Sequence, residues 1–300
     1  MEDGFGMTDS VAERVVFDGL GGIHLVSDVR GSPDAWPVLF LHGVGQTRHA
    51  WGRTAQIVAS QGWRTIALDL RGHGDSDWSP NGDYSFAAFA GDTIAVAKQL
   101  EKPPIIVGAS LGGRAAILAE ESSDRKLSSG LVIVDMTYMS NPAGSQRIKT
   151  FMRSGLDGFD TLDEAAEVIA AYTPNRSRQI NVEGLHKVLR NRKGRWHWHW
   201  DPAVVSIDRN QAELERQENL GDYSAKTIEL PMLLIWGLMS DVVTQEGVDD
   251  LLARFPNGTV ATVDGAAHMI AGDRNDAFSK AINTFLEEKI RPILKASEAT

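Results

Sequence analysis

The chain of 300 residues contains no cysteine. That absence excludes a thiol nucleophile, a cysteine metal site and a disulfide framework, and it fits a reducing compartment. Long apolar runs are also missing: no stretch approaches the ~18 residues of a membrane span, and residues 1–10 lack the basic and apolar regions of a secretory signal. We therefore expect a cytoplasmic protein that does not enter a membrane.

Positive charge is scarce. The 30 Lys and Arg residues face 40 Asp and Glu residues, which gives a formal net charge of −10, and no dense basic run is present. This balance argues against a nucleic-acid-binding surface. The hydrophobic content of 42% is ample for a large core.

One stretch, Ile105 to Gly113, organises the rest of the chain. A β-branched run ends in Gly-x-Ser-x-Gly and passes directly into a helical pattern, which is the context of a nucleophile elbow centred on Ser110. Gly108 and Gly112 are expected where a Cβ would collide with neighbouring chain. The N–H of Leu111 is expected at a helix N-terminus, facing charge that forms beside Ser110. The alternative is an ordinary strand-to-helix turn.

Strands alternate with helices along most of the chain, which predicts a mostly parallel sheet covered by helices on both faces. An N-terminal β-hairpin precedes this alternation. From about residue 136 to residue 222 no buried strand is predicted. We interpret 136–222 as a lid inserted into a core domain formed by 1–135 and 223–300, lying over the carboxyl ends of the strands.

A serine nucleophile needs a base, and that base needs an acid to orient it. In elbow enzymes the order along the chain is Ser, Asp or Glu, His. Asp241 follows one late buried strand and His268 follows the next, so both are predicted at the sheet edge that carries Ser110. Asp135 also ends a buried strand and remains an alternative acid, and a loop aspartate such as Asp241 is often only a helix N-cap.

The segment from His42 to Gly45 supplies the remaining catalytic part. Acyl transfer uses two donors at the developing oxyanion. We predict the N–H groups of Val44 and Leu111, with Gly43 allowing close approach of the substrate. His42 is expected to hold this loop by hydrogen bonding.

Together these motifs resemble the α/β-hydrolase superfamily. The resemblance rests on His42-Gly43, Arg71-Gly72-His73-Gly74-Asp75-Ser76, Gly108-Ala109-Ser110-Leu111-Gly112-Gly113, Asp241 and Gly265-Ala266-Ala267-His268. It implies the α/β-hydrolase fold, a mostly parallel eight-stranded sheet with a helical lid after the sixth strand. It also implies the triad of Ser110, Asp241 and His268 but not the substrate. We predict a serine hydrolase for a carboxylic ester or related small acyl substrate, with no cofactor or metal. The core is most similar to lidded serine esterases and to the cofactor-free haloperoxidase, or perhydrolase, branch.

Departures from related subfamilies narrow the reaction. Ser110 stands where epoxide hydrolases and haloalkane dehalogenases have Asp, and Ala109 stands where carbon–carbon bond hydrolases typically have Asn. Perhydrolysis, lactone cleavage and carbon–carbon cleavage with the same triad stay open, as does a ligand-binding receptor on this fold.

An aromatic island, Trp196-His197-Trp198-His199-Trp200, lies within the predicted lid. On a strand its tryptophans would share one face and its histidines the other. Trp198 and Trp200 are candidates for the roof of the substrate pocket, and the alternative is that they pack the lid onto the core.

Overall fold

The computed structural model describes residues 11–172, 182–205, 228–266 and 275–298. Eight strands form one sheet in the order β1-β2-β4-β3-β5-β6-β9-β10, and β7 pairs with β8 in a separate hairpin. The strands are Glu13–Asp18 (β1), His24–Arg30 (β2), Pro37–Leu41 (β3), Arg64–Leu68 (β4), Ile105–Ala109 (β5), Gly130–Val134 (β6), Leu189–Arg192 (β7), Arg195–Trp198 (β8), Met232–Gly237 (β9) and Gly258–Val263 (β10).

Helices connect these strands and cover both faces of the sheet. They are Gly52–Ser60 (α1), Phe86–Lys98 (α2), Leu111–Glu121 (α3), Pro142–Arg153 (α4), Leu162–Tyr172 (α5), Gln245–Arg254 (α6), Asn275–Phe285 (α7) and Arg291–Glu298 (α8). A π-helical turn at Leu286–Ile290 joins α7 to α8. No helix within the described ranges is long and apolar enough to cross a membrane.

The sheet follows from the apolar strand sequences. β3, β5 and β6 are buried along their whole length, as expected for parallel strands covered on both faces. β1 and β2 form the predicted antiparallel hairpin, and β2 also runs antiparallel to β4. The other pairs in the large sheet are parallel. The predicted eight-stranded α/β-hydrolase fold is therefore confirmed.

The chain between β6 and β9, residues 135–231, is called the insertion below. Because β6 and β9 are neighbours in the sheet, the insertion leaves and re-enters the core at adjacent strands. It contains α4 and α5, as predicted for a helical lid, but also the β7–β8 hairpin, which adds strands to it. The predicted lid boundary at residue 222 lies outside the described residues, and the division into domains stays a prediction.

Candidate active site

Ser110 lies between the end of β5 and the start of α3, with the backbone at φ 46°. Non-glycine residues rarely adopt such an angle, and it is the backbone geometry expected of a nucleophile elbow. A Cβ on Gly108 would lie 2.4 Å from the carbonyl oxygen of Gly112, and a Cβ on Gly112 would lie 2.4 Å from that of Leu41. The steric requirement for both glycines is therefore confirmed.

The loop after β3 lies beside the elbow. A Cβ on Gly43 would lie 3.5 Å from the Cβ of Ser110, which is van der Waals distance. The backbone at Gly43 therefore lies directly beside the side chain of Ser110. Val44 and Leu111 line the same cavity as Ser110. Within the described residues, neither the Val44 N–H nor the Leu111 N–H donates a hydrogen bond. Two N–H groups are thus available beside the serine, as an oxyanion hole requires.

His42 fixes the start of this loop. Its side chain is fully buried, Nδ1–H donates to the carbonyl oxygen of Gly43 at 2.8 Å, and Nε2 accepts from the N–H of Leu70 at 3.0 Å. These are the hydrogen bonds expected of a residue that holds the loop. Since one ring nitrogen donates and the other accepts, the imidazole is neutral.

Two further histidines hold the peptide groups of Gly45. The Gly45 N–H donates to Nε2 of His73 at 3.2 Å, while Nε2–H of His199 donates to the Gly45 carbonyl at 3.3 Å. The other ring nitrogens are also engaged, since Nδ1–H of His73 donates to the Arg71 carbonyl and Nδ1 of His199 accepts from the Gly74 N–H. His199 belongs to the insertion, so the insertion takes part directly in fixing the loop from His42 to Gly45, which is called the oxyanion loop below after its predicted role.

The three histidines stack ring to ring, with centroids 5.1 Å apart for His42 and His73 and 5.8 Å apart for His73 and His199. Burial disfavours the charged form and lowers the pKa of His42 to about 4 and that of His73 to about 3. Burial also lowers the pKa of His199 well below its usual range. All six ring nitrogens accept or donate one hydrogen bond, which leaves none for a metal.

Two carboxylates are candidates for the acid. Asp135 follows β6 with φ 48°, is 1% exposed and lines the cavity with Ser110. It accepts from the N–H of Gly237 at 3.2 Å and from the hydroxyl of Ser240 at 2.7 Å. Asp241 lies in the neighbouring loop after β9, where its half-buried carboxylate pairs with the guanidinium of Arg147 at 2.9 Å. The predicted acid and its alternative thus lie at the same sheet edge.

His268, the predicted base, lies outside the described residues. The chain leading to it reaches the carboxyl edge of the sheet: Gly265 turns at φ 67° after β10, and the Met239 N–H donates to the carbonyl oxygen of Ala266 at 3.0 Å. The loops after β9 and β10 are therefore joined by hydrogen bonds up to Ala266.

The cavity beside Ser110 has a volume of about 300 Å³, small for a ligand pocket. Its wall is largely apolar, including Phe86, Phe89, Met136, Ile148, Met152 and Val205. The last four belong to the insertion, so the insertion forms one side of the cavity. Three cations also line the cavity: Arg114, Lys149 and Arg153. The sequence patterns did not predict that these side chains lie beside Ser110.

Trp198 and Trp200 do not contribute to the described cavity wall, and neither do His42 and Gly43. The two indole rings stack on one another with centroids 4.6 Å apart and planes 11° apart. Trp198 also packs edge-on against Phe159, and both tryptophans are almost fully buried. Their contacts are those of side chains that pack the insertion. The first part of the aromatic island, Trp196 to Trp198, lies in strand β8.

A family model described as the alpha/beta hydrolase family matches residues 38–281, and the chain belongs to that family. Esterase Rv0045c of Mycobacterium tuberculosis is 26% identical over 278 residues, which are 88% of this chain and 87% of that protein. A crystal structure of the same esterase matches with a TM-score of 0.71 and covers 92% of each chain. The crystal structure of E-2-(acetamidomethylene)succinate hydrolase matches with a TM-score of 0.77 at 23% identity, covering 92% of this chain and 99% of that one.

Proposed function

We propose that this protein is a serine hydrolase that cleaves a small carboxylic ester through an acyl-enzyme on Ser110. The observation that carries the proposal is the strained elbow at the start of α3, which opens into a cavity with two available backbone N–H groups. The similarity to an esterase along most of both chains supports the same reaction.

In the proposed reaction Ser110 Oγ attacks the ester carbonyl carbon while His268 takes its proton. The N–H groups of Val44 and Leu111 stabilise the oxyanion, and each such donor lowers the barrier by about 3 kcal/mol. Collapse of the tetrahedral intermediate breaks the bond to the alkoxide, which leaves with the proton from His268. Water, activated by the same histidine, then releases the acid and restores the serine.

Labelling with a fluorophosphonate, read by mass spectrometry of intact protein and peptides, tests the nucleophile. We expect one adduct, on Ser110, together with hydrolysis of p-nitrophenyl esters over a narrow range of acyl lengths. Ser110→Ala should lose both the adduct and turnover, and His268→Ala should lose turnover. Ser122→Ala, a serine just beyond the end of the same helix, is the matched control. A folded wild-type protein without an adduct would refute the proposal.

A pair of substitutions identifies the acid. Chain order favours Asp241, while burial and a place in the cavity wall support Asp135. Losing the carboxylate that orients the base lowers kcat by about 10⁴-fold in enzymes of this kind. We expect that loss in one of Asp135→Asn and Asp241→Asn, and a change below about tenfold in the other, with thermal unfolding measured for both. Equal, small effects would exclude both carboxylates.

A further inference from the structure

Helix α4 forms one side of the cavity with a mixed face. Ile148 and Met152 present apolar side chains, and Lys149 and Arg153 lie one turn apart beside them, so both cations line the same side. Met152 also fits closely over the oxyanion loop, because a Cβ on Gly45 would lie 2.6 Å from its sulfur atom. The two cations are thus held next to the segment that would bind the reacting carbonyl.

The charge on this face is uncompensated in the described part of the protein. Lys149 and Arg153 are half-buried, yet no described carboxylate lies within ion-pair distance of either. Two almost fully buried arginines do have acidic partners: Arg48 contacts three aspartates and Arg71 binds Asp92. With no described carboxylate beside them, Lys149 and Arg153 can pair with an anion that enters the cavity.

The rest of the wall strengthens the positive field. Arg114, one turn into α3 from Ser110, lies over the ring of Phe86 with its guanidinium carbon 4.7 Å from the ring centroid. Among the described residues that line the cavity, Asp135 is the sole carboxylate, and it is engaged at the sheet edge by Gly237 and Ser240. A protein with a net charge of −10 therefore has a cationic cavity.

From this face we infer that the preferred substrate is a small ester that carries an anionic group, which Lys149 and Arg153 bind while Ser110 attacks the carbonyl. The inference rests on the proposed function and adds the substrate class. The volume of about 300 Å³ suits an ester with a short acyl group. The anion lies on the acyl part or on the alcohol part, and the two cases need different substrates.

Matched esters test the inference. The first pair is the mono-p-nitrophenyl ester of glutaric acid and p-nitrophenyl valerate, which share the leaving group and differ by a terminal carboxylate. The second pair is 4-(valeryloxy)benzoate and phenyl valerate, which place the carboxylate on the leaving group. We expect kcat/KM to favour the anionic member of one pair, which identifies the side of the substrate that meets the cations.

The double variant Lys149→Met, Arg153→Met removes the charges and keeps apolar side chains of similar length. Its ratio of kcat/KM for the anionic over the neutral ester should fall at least about tenfold. Lys98→Met, at the far end of α2 from the cavity, removes one exposed charge and should leave the ratio unchanged. Raising the salt concentration should weaken the preference in the wild type alone.

Two results separate the inference from the proposed function. If the wild type hydrolyses neutral esters through Ser110 and the ratio is unchanged in the double variant, the anion site is refuted and the hydrolase stands. If no ester is cleaved, calorimetric titration with glutarate still decides. Binding by the wild type, at least tenfold weaker in the double variant, supports the anion site, and equal binding or none refutes it.

Discussion

The three buried histidines make the protein sensitive to mild acid. His42, His73 and His199 are at most 1% exposed, and each uses a lone pair on one ring nitrogen to accept a backbone N–H. Protonation would turn each acceptor into a donor facing another donor. In the unfolded chain nothing opposes protonation, and a histidine there titrates near its usual pKa of about 6.5.

The sign and size of the effect follow from this difference. The folded pKa values lie below the unfolded value, so between about pH 6.5 and pH 4 the unfolded chain binds protons that the folded protein does not. Stability is complete above pH 6.5 and falls as the pH drops, by roughly 1.4 kcal/mol per pH unit for each histidine. At pH 5 the three together remove about 6 kcal/mol, a large part of the 5–15 kcal/mol typical of a domain.

Urea denaturation followed by tryptophan fluorescence between pH 7.5 and pH 5 measures this loss. Most of it should occur above the range in which carboxylates are protonated. In His199→Gln the slope of the unfolding free energy against pH should fall by about a third, whatever the overall stability of the variant. Thr65→Val, a buried substitution that removes no titratable group, should leave the slope unchanged. A wild-type free energy that is flat from pH 7 to pH 5 would refute the neutral, buried state of this cluster.

Three other substitutions have defined outcomes in the same denaturation assay or in ester turnover. Gly108→Ala should cost at least about 3 kcal/mol because its Cβ has no room, whereas Gly52→Ala, whose Cβ meets nothing within 4 Å, should add about 0.5 kcal/mol; equal effects would contradict the elbow geometry. Gly45→Ala places a side chain at φ 73° against the insertion and should slow turnover at least about tenfold, and an unchanged rate would show that this loop does not bind the oxyanion. Asp92→Asn leaves the guanidinium of Arg71 buried without its counter-charge and should cost about 3–5 kcal/mol, so a loss below 1 kcal/mol would mean that water reaches this pair.

The parts that could be predicted from sequence are those determined by neighbouring residues. The elbow at Ser110 follows from a β-branched run, two glycines and a helical pattern within nine residues, and the structure has each of them in place. The parallel sheet follows from apolar strands that alternate with helices. The family was also predicted, because its motifs are ordered along the whole core.

The remaining features depend on contacts between distant segments. Gly45 is held by His73, 28 residues away, and by His199, 154 residues away, so no local pattern shows that these histidines act together. The i, i+4 pair Lys149 and Arg153 looks in sequence like a solvated helix face and becomes a cavity wall only when α4 packs over the elbow. The roles of Asp241 and His268 are still predictions.

The hydrogen bond from His199 to Gly45 has a consequence for exchange of the insertion between relatives. The insertion begins after β6 and ends before β9, which are neighbours in the sheet. Replacing it therefore need not disturb the pairing of the strands and could change the substrate preference. Here replacement of the insertion is restricted, because His199 of the insertion hydrogen-bonds to Gly45 in the loop beside Ser110. We expect a grafted insertion that lacks a hydrogen-bond donor at the position of His199 to leave the carbonyl of Gly45 without this support. An exchanged insertion should therefore keep a hydrogen-bond donor at the position of His199.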